Sequence, residues 1–261
     1  MAAPIITLLT DFGLRDGYVA SMKGVILGIA PDAAPVDISH LIAPQDVRSA
    51  AFVLFTCYEC FPHRTVHLAV VDPGVGTDRG AIAVRAGSFF LVGPDNGIFS
   101  LVLRKETGWR ARSLENTDFH RQPASATFHG RDIFAPVAAH LARGAPFEAL
   151  GPECAPAISE WASPIRTAEG IEGEVIHIDR FGNAVTNITR EMPGDLGPSE
   201  RWSVSAEKAS GLPVLGAYGL AAAGSALALV GSSGFFEIAV NGGNAASELG
   251  LRPGSKVYFR A

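Results

Sequence analysis

The chain has 261 residues, of which 48% are hydrophobic and 18% charged, and its formal net charge is −5 at pH 7. A chain of this length can bury one large core or two modest ones, so it should fold without disulfides or a structural metal. Because no cluster of Lys and Arg occurs along it, the composition excludes a broad surface for nucleic acid or for an anionic membrane.

The three cysteines cannot all pair, which favours a reduced, cytoplasmic compartment. Cys57 and Cys60 have redox-motif spacing, but they stand in an apolar, helix-like stretch and are interpreted as buried or idle thiols. The N-terminus lacks the basic region of a signal peptide. The charge-free stretch 209–236 is broken by glycines and a proline, so we expect a turn-rich soluble segment and no membrane span.

Strand and helix patterns alternate in the first part of the chain. An apolar β run at 5–10 precedes a helix that Asp16 can cap, and Asp46 is placed to cap a second helix. Residues 66–71 form a continuous apolar run, typical of a strand covered on both faces. Further strands are predicted at 81–84 and 89–92, and further helices at 97–104 and 131–142. The alternation predicts an α/β domain whose central sheet is flanked by helices.

The composition becomes rich in Pro, Ala and Ser around residues 151–166, and this segment is the best candidate for a linker. Only short strands are predicted beyond it, at 173–178, 202–205, 226–230, 235–240 and 256–260. We therefore expect an N-terminal α/β domain, residues 1–160, followed by a smaller all-β, barrel-like domain, residues 161–261.

Three short stretches of the N-terminal half concentrate polar residues. Asp11 directly follows the first strand, where the carboxyl ends of sheet strands face a ligand crevice. It is placed to accept hydrogen bonds from a sugar diol, although a plain Asx turn explains an isolated Asp equally well.

The second stretch, VVDPGVGTDRG at 70–80, ends a buried strand and turns back. It lacks the third Gly and the following helix of a phosphate-binding loop. The turn allows Asp72 and Arg79 to pair. Such a pair either staples the turn or holds a nucleophile at the mouth of a crevice.

The third stretch, FHGRD, places His129 just before a predicted helix. The helix dipole can keep this imidazole neutral and free to accept a proton, although a His in such a place is more often structural. No H-E-x-x-H motif occurs, and we predict no bound metal.

The C-terminal half contains DRFGN at 179–183, Tyr218, SSG at 232–234 and NGGNA at 241–245. Aromatic faces and Asn amides are what an adenine requires, but each piece alone is typical of a β-turn.

Six ordered motifs together resemble one family. They are TDFGLRDGYVASMKG at 10–24, VVDPGVGTDR at 70–79, GPDNG at 93–97, FHGRD at 128–132, IDRFGNAVTNI at 178–188 and GSSGFFEIAVNGGNAA at 231–246. The chain resembles the S-adenosyl-L-methionine hydroxide adenosyltransferases, which are relatives of the fluorinating and chlorinating enzymes. The resemblance implies an α/β domain followed by a β-barrel, a homotrimer with its substrate between subunits, and hydrolysis of S-adenosyl-L-methionine to adenosine and L-methionine.

The resemblance also implies roles for individual residues, and it implies no cofactor. The set that handles water is matched by Asp72, Arg79 and His129. Asp11 matches the ribose ligand. The adenine-site positions are Phe181, Asn183, Tyr218, Asn244 and Ala245. The positions that hold the methionine part are Asp16, Tyr18, Asp179, Ser232 and Ser233.

Water is favoured over halide as the nucleophile, because an anionic Asp72 beside the site should repel fluoride or chloride. The alternatives are a chlorinase-like, halide-dependent adenosyltransferase, a module that binds adenosine or S-adenosyl-L-methionine without turnover, and an Asp/His metallohydrolase that a chelator would inactivate. The sequence leaves open whether Asp72 or His129 takes the proton of water.

Overall fold

The computed structural model describes residues 3–192 and 202–260. The chain divides into two compact units, Met1–Ser159 and Glu160–Ala261. The first unit combines helices with a mixed sheet, and the second is built almost entirely of antiparallel strands. The predicted fold class is therefore confirmed.

A six-stranded sheet forms the middle of the first unit. Its strands are β1 (Ile5–Thr10), β2 (Ala34–Ser39), β3 (Val66–Val70), β4 (Ala81–Ala86), β5 (Phe89–Pro94) and β6 (Arg110–Ser113). They lie in the order β2-β1-β3-β5-β4-β6. The neighbouring strands β2, β1, β3 and β5 run parallel to one another, and β4 is antiparallel to both of its neighbours, β5 and β6. The strands β2 and β6 were not predicted from the sequence.

Helices cover both faces of this sheet. They are α1 (Tyr18–Ile29), α2 (Val47–Cys57), α3 (Ser100–Lys105) and α4 (Ala135–Ala142). Leu8 of β1 belongs to a core cluster with Met22 and Phe134, and Leu9 belongs to a second cluster with Leu54 and Phe99. Successive residues of a strand point to opposite faces, so β1 is buried on both sides, as its continuous apolar run predicts.

One of the two predicted helix caps is correct. Asp46 caps α2, because its Oδ1 accepts the Ser49 N–H at 2.9 Å. The prediction that Asp16 caps α1 is wrong. The N-cap is Gly17, whose carbonyl accepts the first helical hydrogen bond from Ser21 at 2.9 Å. Asp16 stands one residue too early and is exposed on the loop.

In its described residues, 160–192 and 202–260, the second unit contains eight strands. They are β7 (Ile165–Thr167), β8 (Gly170–Ile178), β9 (Ala184–Thr189), β10 (Ser203–Ala206), β11 (Ala209–Pro213), β12 (Ala226–Val230), β13 (Phe235–Val240) and β14 (Lys256–Arg260). The order is β11-β10-β14-β8-β9-β13-β12, with β7 beside β8. A bridge between Val214 and Ala228 joins the two ends of this row, so the sheet is nearly closed.

Two details of the second unit differ from the sequence-based expectation. A short helix, α5 (Ala245–Leu249), lies among the strands, and Asn244 caps it by accepting the Ser247 N–H at 2.9 Å. The stretch 209–236 holds β11, β12 and the beginning of β13. Over residues 3–192 and 202–260, no helix has the length and apolar character needed to cross a membrane.

A buried histidine makes the fold sensitive to acid. His67 of β3 is fully buried, its Nδ1 lies 2.8 Å from Thr7 Oγ1, and its ring packs edge-on against Tyr58 and Phe61. Burial lowers its pKa to about 4, because the charged imidazolium is disfavoured inside the core.

We expect the free energy of unfolding to fall by about 2 kcal/mol between pH 7 and pH 5 through His67 alone, because the unfolded chain binds a proton near pH 6.5 and the folded chain does not. Urea unfolding at both pH values measures this. The double variant Thr7→Val/His67→Phe should lose that part of the pH dependence. An identical fall in the double variant would contradict the assignment.

Candidate functional site

The carboxyl ends of β1 and β3 lie side by side at one edge of the sheet, since Thr10 and Val70 are partners in the parallel register. Asp11 follows the first strand directly, and Asp72 follows the second after one further residue. Loops that leave neighbouring parallel strands at this edge form the usual ligand crevice of an open α/β sheet.

The turn after β3 brings Asp72 and Arg79 together. Arg79 Nε donates to Asp72 Oδ1 at 3.0 Å, and Nη2 donates to Oδ2 at 2.6 Å. Both side chains are more than nine-tenths buried, with 8% of Arg79 and 6% of Asp72 exposed. Gly76 has a φ of +77°, and a Cβ there would lie 2.5 Å from the Ala126 carbonyl oxygen, so glycine is required for this turn.

His129 completes the group. Its Nδ1 lies 3.0 Å from Arg79 Nη2. A guanidinium can only donate, so Nδ1 is the acceptor and the ring proton is on Nε2. Burial, then the Arg79 charge, lowers the pKa of His129, so the imidazole is neutral at pH 7. The lowered pKa supports the predicted neutrality, and His129 stands where the sequence predicted it, at the start of a helical segment: it caps the π-helical turn Gly130–Phe134, which continues into α4.

The segment that carries His129 is held by a buried carboxylate. Asp132 is fully buried and accepts hydrogen bonds from Arg131 at 2.7 Å, from Arg121 at 3.2 Å and from the Ser125 N–H at 2.9 Å. Burial alone would raise the pKa of Asp132, but these donors outweigh it and lower the pKa. The carboxylate is thereby ionised and ties residues 121–125 to the π-helical turn after His129.

The other N-terminal candidates surround the same edge of the sheet. Asp11 Oδ2 accepts the Gln45 N–H at 2.8 Å, and Gln45 has a left-handed φ of +67°. Tyr18 packs against Phe12 and Phe128, with ring centroids 5.7 and 5.2 Å apart. Sequence reasoning did not single out Gln45, because the contact is made by its backbone and leaves no mark on residue type.

In the second unit, the turn between β8 and β9 carries three candidates. Asp179 Oδ1 accepts the N–H groups of Phe181 and Asn183, each at 2.8 Å, and Oδ2 accepts Asn183 Nδ2 at 2.9 Å. The phenyl ring of Phe181 is left 75% exposed. Gly182 packs against the Asn244 side chain, and its carbonyl accepts the Ala246 N–H at 2.9 Å. The structure therefore brings this turn together with Asn244 and Ala245.

Tyr218 has a partner that sequence reasoning missed. Its hydroxyl donates to Glu237, a buried residue of β13. Burial raises the pKa of Glu237, and the nearby charge of Asp179 adds to this effect. A single acid inside the apolar run FFEIAV is the signal that would have identified it. Ser232 and Ser233 lie in the turn between β12 and β13.

The remaining candidate chemistry is weak. Burial raises the pKa of Cys57 to about 11, so this thiol is protonated at neutral pH. His63 and His67 are four residues apart, but β3 begins at Val66 and their spacing is not helical. Within residues 3–192 and 202–260, no group of three His, Cys, Asp or Glu side chains is arranged to hold a metal ion.

Comparisons with known proteins cover both units. The N-terminal domain model of the SAM hydroxide adenosyltransferase family matches residues 6–151, and the C-terminal model matches residues 173–258. A relative from Thermus thermophilus, named (R)-S-adenosyl-L-methionine hydrolase, is 44% identical over 97% of this chain and 98% of its own. A relative from Nocardia brasiliensis, named fluorinase, is 28% identical over 98% of this chain and 97% of its own.

A solved structure is similar over the same length. The crystal structure of an uncharacterized conserved protein from Thermotoga maritima matches with a TM-score of 0.88 and 38% identity. The match covers 97% of this chain and 99% of the other.

The protonation state of His129 gives a direct test of the geometry. We expect ¹⁵N NMR of the imidazole to show an unprotonated Nδ1 and a protonated Nε2, with a pKa below 6.5. Arg79→Gln should raise this pKa, because it removes a neighbouring cation and leaves the Asp72 charge in place. Arg85→Gln, which removes an exposed cation of β4, is the matched control. A proton on Nδ1 in the wild type would contradict the geometry.

Proposed function

We infer that this chain, which belongs to the SAM hydroxide adenosyltransferase family, hydrolyses S-adenosyl-L-methionine to adenosine and L-methionine. The water oxygen forms a bond to ribose C5′ while the C5′–S bond breaks. The electron pair of the C5′–S bond moves to sulfur. The sulfonium leaves as the neutral thioether of methionine, so no general acid is required. One proton of water is released. The observation that carries this function is the buried contact of Arg79 with both Asp72 and His129.

We assign the proton of water to Asp72. The Nδ1 lone pair of His129 is occupied by Arg79, and its Nε2 already carries a proton, so the imidazole is better suited to orient water as a donor. Each Asp72 oxygen accepts one bond from Arg79 and retains capacity for another. A carboxylate is only a weak base. The oxygen being deprotonated becomes strongly acidic as it bonds to carbon, so a weak base is sufficient.

Arg79 has two functions in this scheme. It donates two hydrogen bonds to the Asp72 carboxylate, which fix the direction of that group, and it stabilises negative charge that develops on the attacking oxygen. Holding water in line with the C5′–S bond supplies much of the remaining advantage, because the attack becomes effectively unimolecular. An anionic Asp72 also opposes the entry of halide, which favours hydrolysis over halogenation.

We propose the same division of the substrate that the family resemblance implies. Asp11 holds the ribose diol. The exposed ring of Phe181 offers a face for stacking, and this supports an adenine site completed by Asn183, Tyr218, Asn244 and Ala245. The positions proposed for the methionine part are Asp16, Tyr18, Asp179, Ser232 and Ser233.

The assembly and the compartment follow from the same resemblance. We propose a cytoplasmic homotrimer with active sites at subunit interfaces. The three cysteines are free, which is consistent with a reducing compartment. No cofactor is proposed, because a neutral thioether leaves without Lewis-acid assistance.

Product analysis in H₂¹⁸O tests the reaction and its site of attack. We expect the label in the 5′-hydroxyl of adenosine, and unchanged products in the presence of chloride or a chelator. Asp72→Asn should lower kcat by about 10²- to 10⁴-fold, since it removes the proton acceptor. Asp118→Asn, at an exposed carboxylate, is the matched control.

Three outcomes would contradict the proposal. A labelled homoserine would place the attack on the methionine chain. Formation of 5′-chloro-5′-deoxyadenosine would establish halide transfer. Binding of S-adenosyl-L-methionine with no turnover would indicate a binding module.

The configuration at sulfur is a separate question. The Thermus thermophilus relative is named for the (R)-sulfonium epimer, and we propose the same preference here. With adenosine and the methionine chain both held, inversion at sulfur exchanges the directions of the methyl group and the lone pair. The two epimers therefore direct the methyl group to opposite sides of the sulfur, and we expect only one of these positions to be accommodated when C5′ is aligned with the water. We expect kcat/KM, measured on the separated epimers, to be at least tenfold higher for (R). Equal values would contradict this preference.

A further inference from the structure

A chain of four polar side chains, two of them buried and two reaching the surface, lies next to the Asp11 loop. Thr10, the last residue of β1, is fully buried, and its Oγ1 lies 2.8 Å from His40 Nδ1. His40 is 3% exposed and follows β2. Its Nε2 lies 3.0 Å from Asp37 Oδ1, and Lys23 Nζ donates to Asp37 Oδ2 at 2.7 Å. None of these groups takes part in the reaction described above.

The hydrogen bonds between these side chains run in one donor-to-acceptor direction. Lys23 and His40 lower the pKa of Asp37 against the opposing effect of burial, so the carboxylate is ionised and can only accept. The ring proton of His40 is therefore on Nε2. Nε2 lies 3.0 Å from Asp37 Oδ1, so its N–H faces the carboxylate. Nδ1 is left to accept the Thr10 hydroxyl proton.

The Thr10 oxygen and the His40 backbone then hold the two residues that directly follow Asp11. Thr10 Oγ1 accepts the Phe12 N–H at 3.2 Å, and the His40 carbonyl accepts the Gly13 N–H at 2.8 Å. Gly13 has a φ of +67°, so the chain turns sharply at this point. The Gln45 N–H, in the same loop as His40, fixes Asp11 Oδ2. The loop after β2 thus sets the position of the loop after β1.

We propose that Thr10 and His40 are positioning residues, which hold the Asp11 carboxylate at the angle at which it meets the ribose diol. This inference rests on the proposed function, which assigns the ribose to Asp11. Neither side chain touches substrate. Their effect is expected on recognition of the ribose hydroxyls, more in KM than in kcat.

The fold supplies a matched control on the same strand. Thr7 Oγ1 and His67 Nδ1 are also 2.8 Å apart, and both of these residues are fully buried. Thr7 lies in the middle of the strand, where its partner is in β3 and no loop is held. Thr7→Val therefore removes an equivalent buried hydrogen bond without freeing Asp11. Assays at pH 8 keep the His67 imidazole neutral.

The experiment compares S-adenosyl-L-methionine with its 2′-deoxy analogue. In the wild type, loss of a hydroxyl bound to a carboxylate should lower kcat/KM by about 10- to 100-fold. Thr10→Val should lower kcat/KM on the normal substrate by about tenfold and reduce the deoxy penalty to less than about threefold. Thr10→Ser, which keeps the hydroxyl, and Thr7→Val should both keep the wild-type penalty.

A merely structural role would leave the deoxy penalty of Thr10→Val equal to that of Thr7→Val, and this result would overturn the proposal. If Thr10→Val does not fold by circular dichroism, His40→Gln takes its place, because it keeps a donor toward Asp37 and removes the Nδ1 acceptor. The same reduced penalty is expected. Asp11→Asn tests the ribose assignment separately from the hydrolysis. An unchanged deoxy penalty in this variant would refute the assignment of the ribose to Asp11, and with it the positioning role of Thr10 and His40. It would leave the proposed hydrolysis unaffected.

Discussion

A buried guanidinium must be paired with a negative charge, and its N–H donors must find acceptors. For Arg79, most of these partners are residues of the candidate site. Asp72 receives two of its hydrogen bonds, His129 a third and the Gly80 carbonyl a fourth, while Phe134 lies 5.3 Å from the guanidinium carbon. One cation thereby orients both partners. Each Asp72 oxygen accepts a hydrogen bond from Arg79, and His129 stays neutral with its proton on Nε2.

The order of the strands explains why Arg79 can reach this position. β4 follows β3 along the chain, but β5 lies between them in the sheet. The connection therefore passes the carboxyl end of β5, and Ala81 at the start of β4 pairs with Pro94 at the end of β5. This path holds Arg79 beside the edge where Asp72 leaves β3. Gly76, with its left-handed φ of +77°, makes this path possible.

Hydrolysis of a sulfonium requires no general acid, but it requires accurate positioning of the water and of ribose C5′. A neutral thioether leaves readily, so the protein has to fix one water, accept its proton late and keep competing anions away. The ribose must also be held still, because an error in the direction of C5′ misaligns the attack. Thr10 and His40, which hold the loop next to Asp11, are suited to keeping the ribose in place.

The sequence by itself determined the fold class, the Asp46 cap and the family, because these depend on local patterns: buried runs, capping residues and ordered motifs. It did not reveal β2, β6 or the helix that Asn244 caps, where local preferences are weak. Only the tertiary structure decided the tautomer of His129, the contact of His40 with Thr10 and the contact of Glu237 with Tyr218. Each of those contacts joins residues 19 to 50 positions apart, and only the folded sheets bring them together.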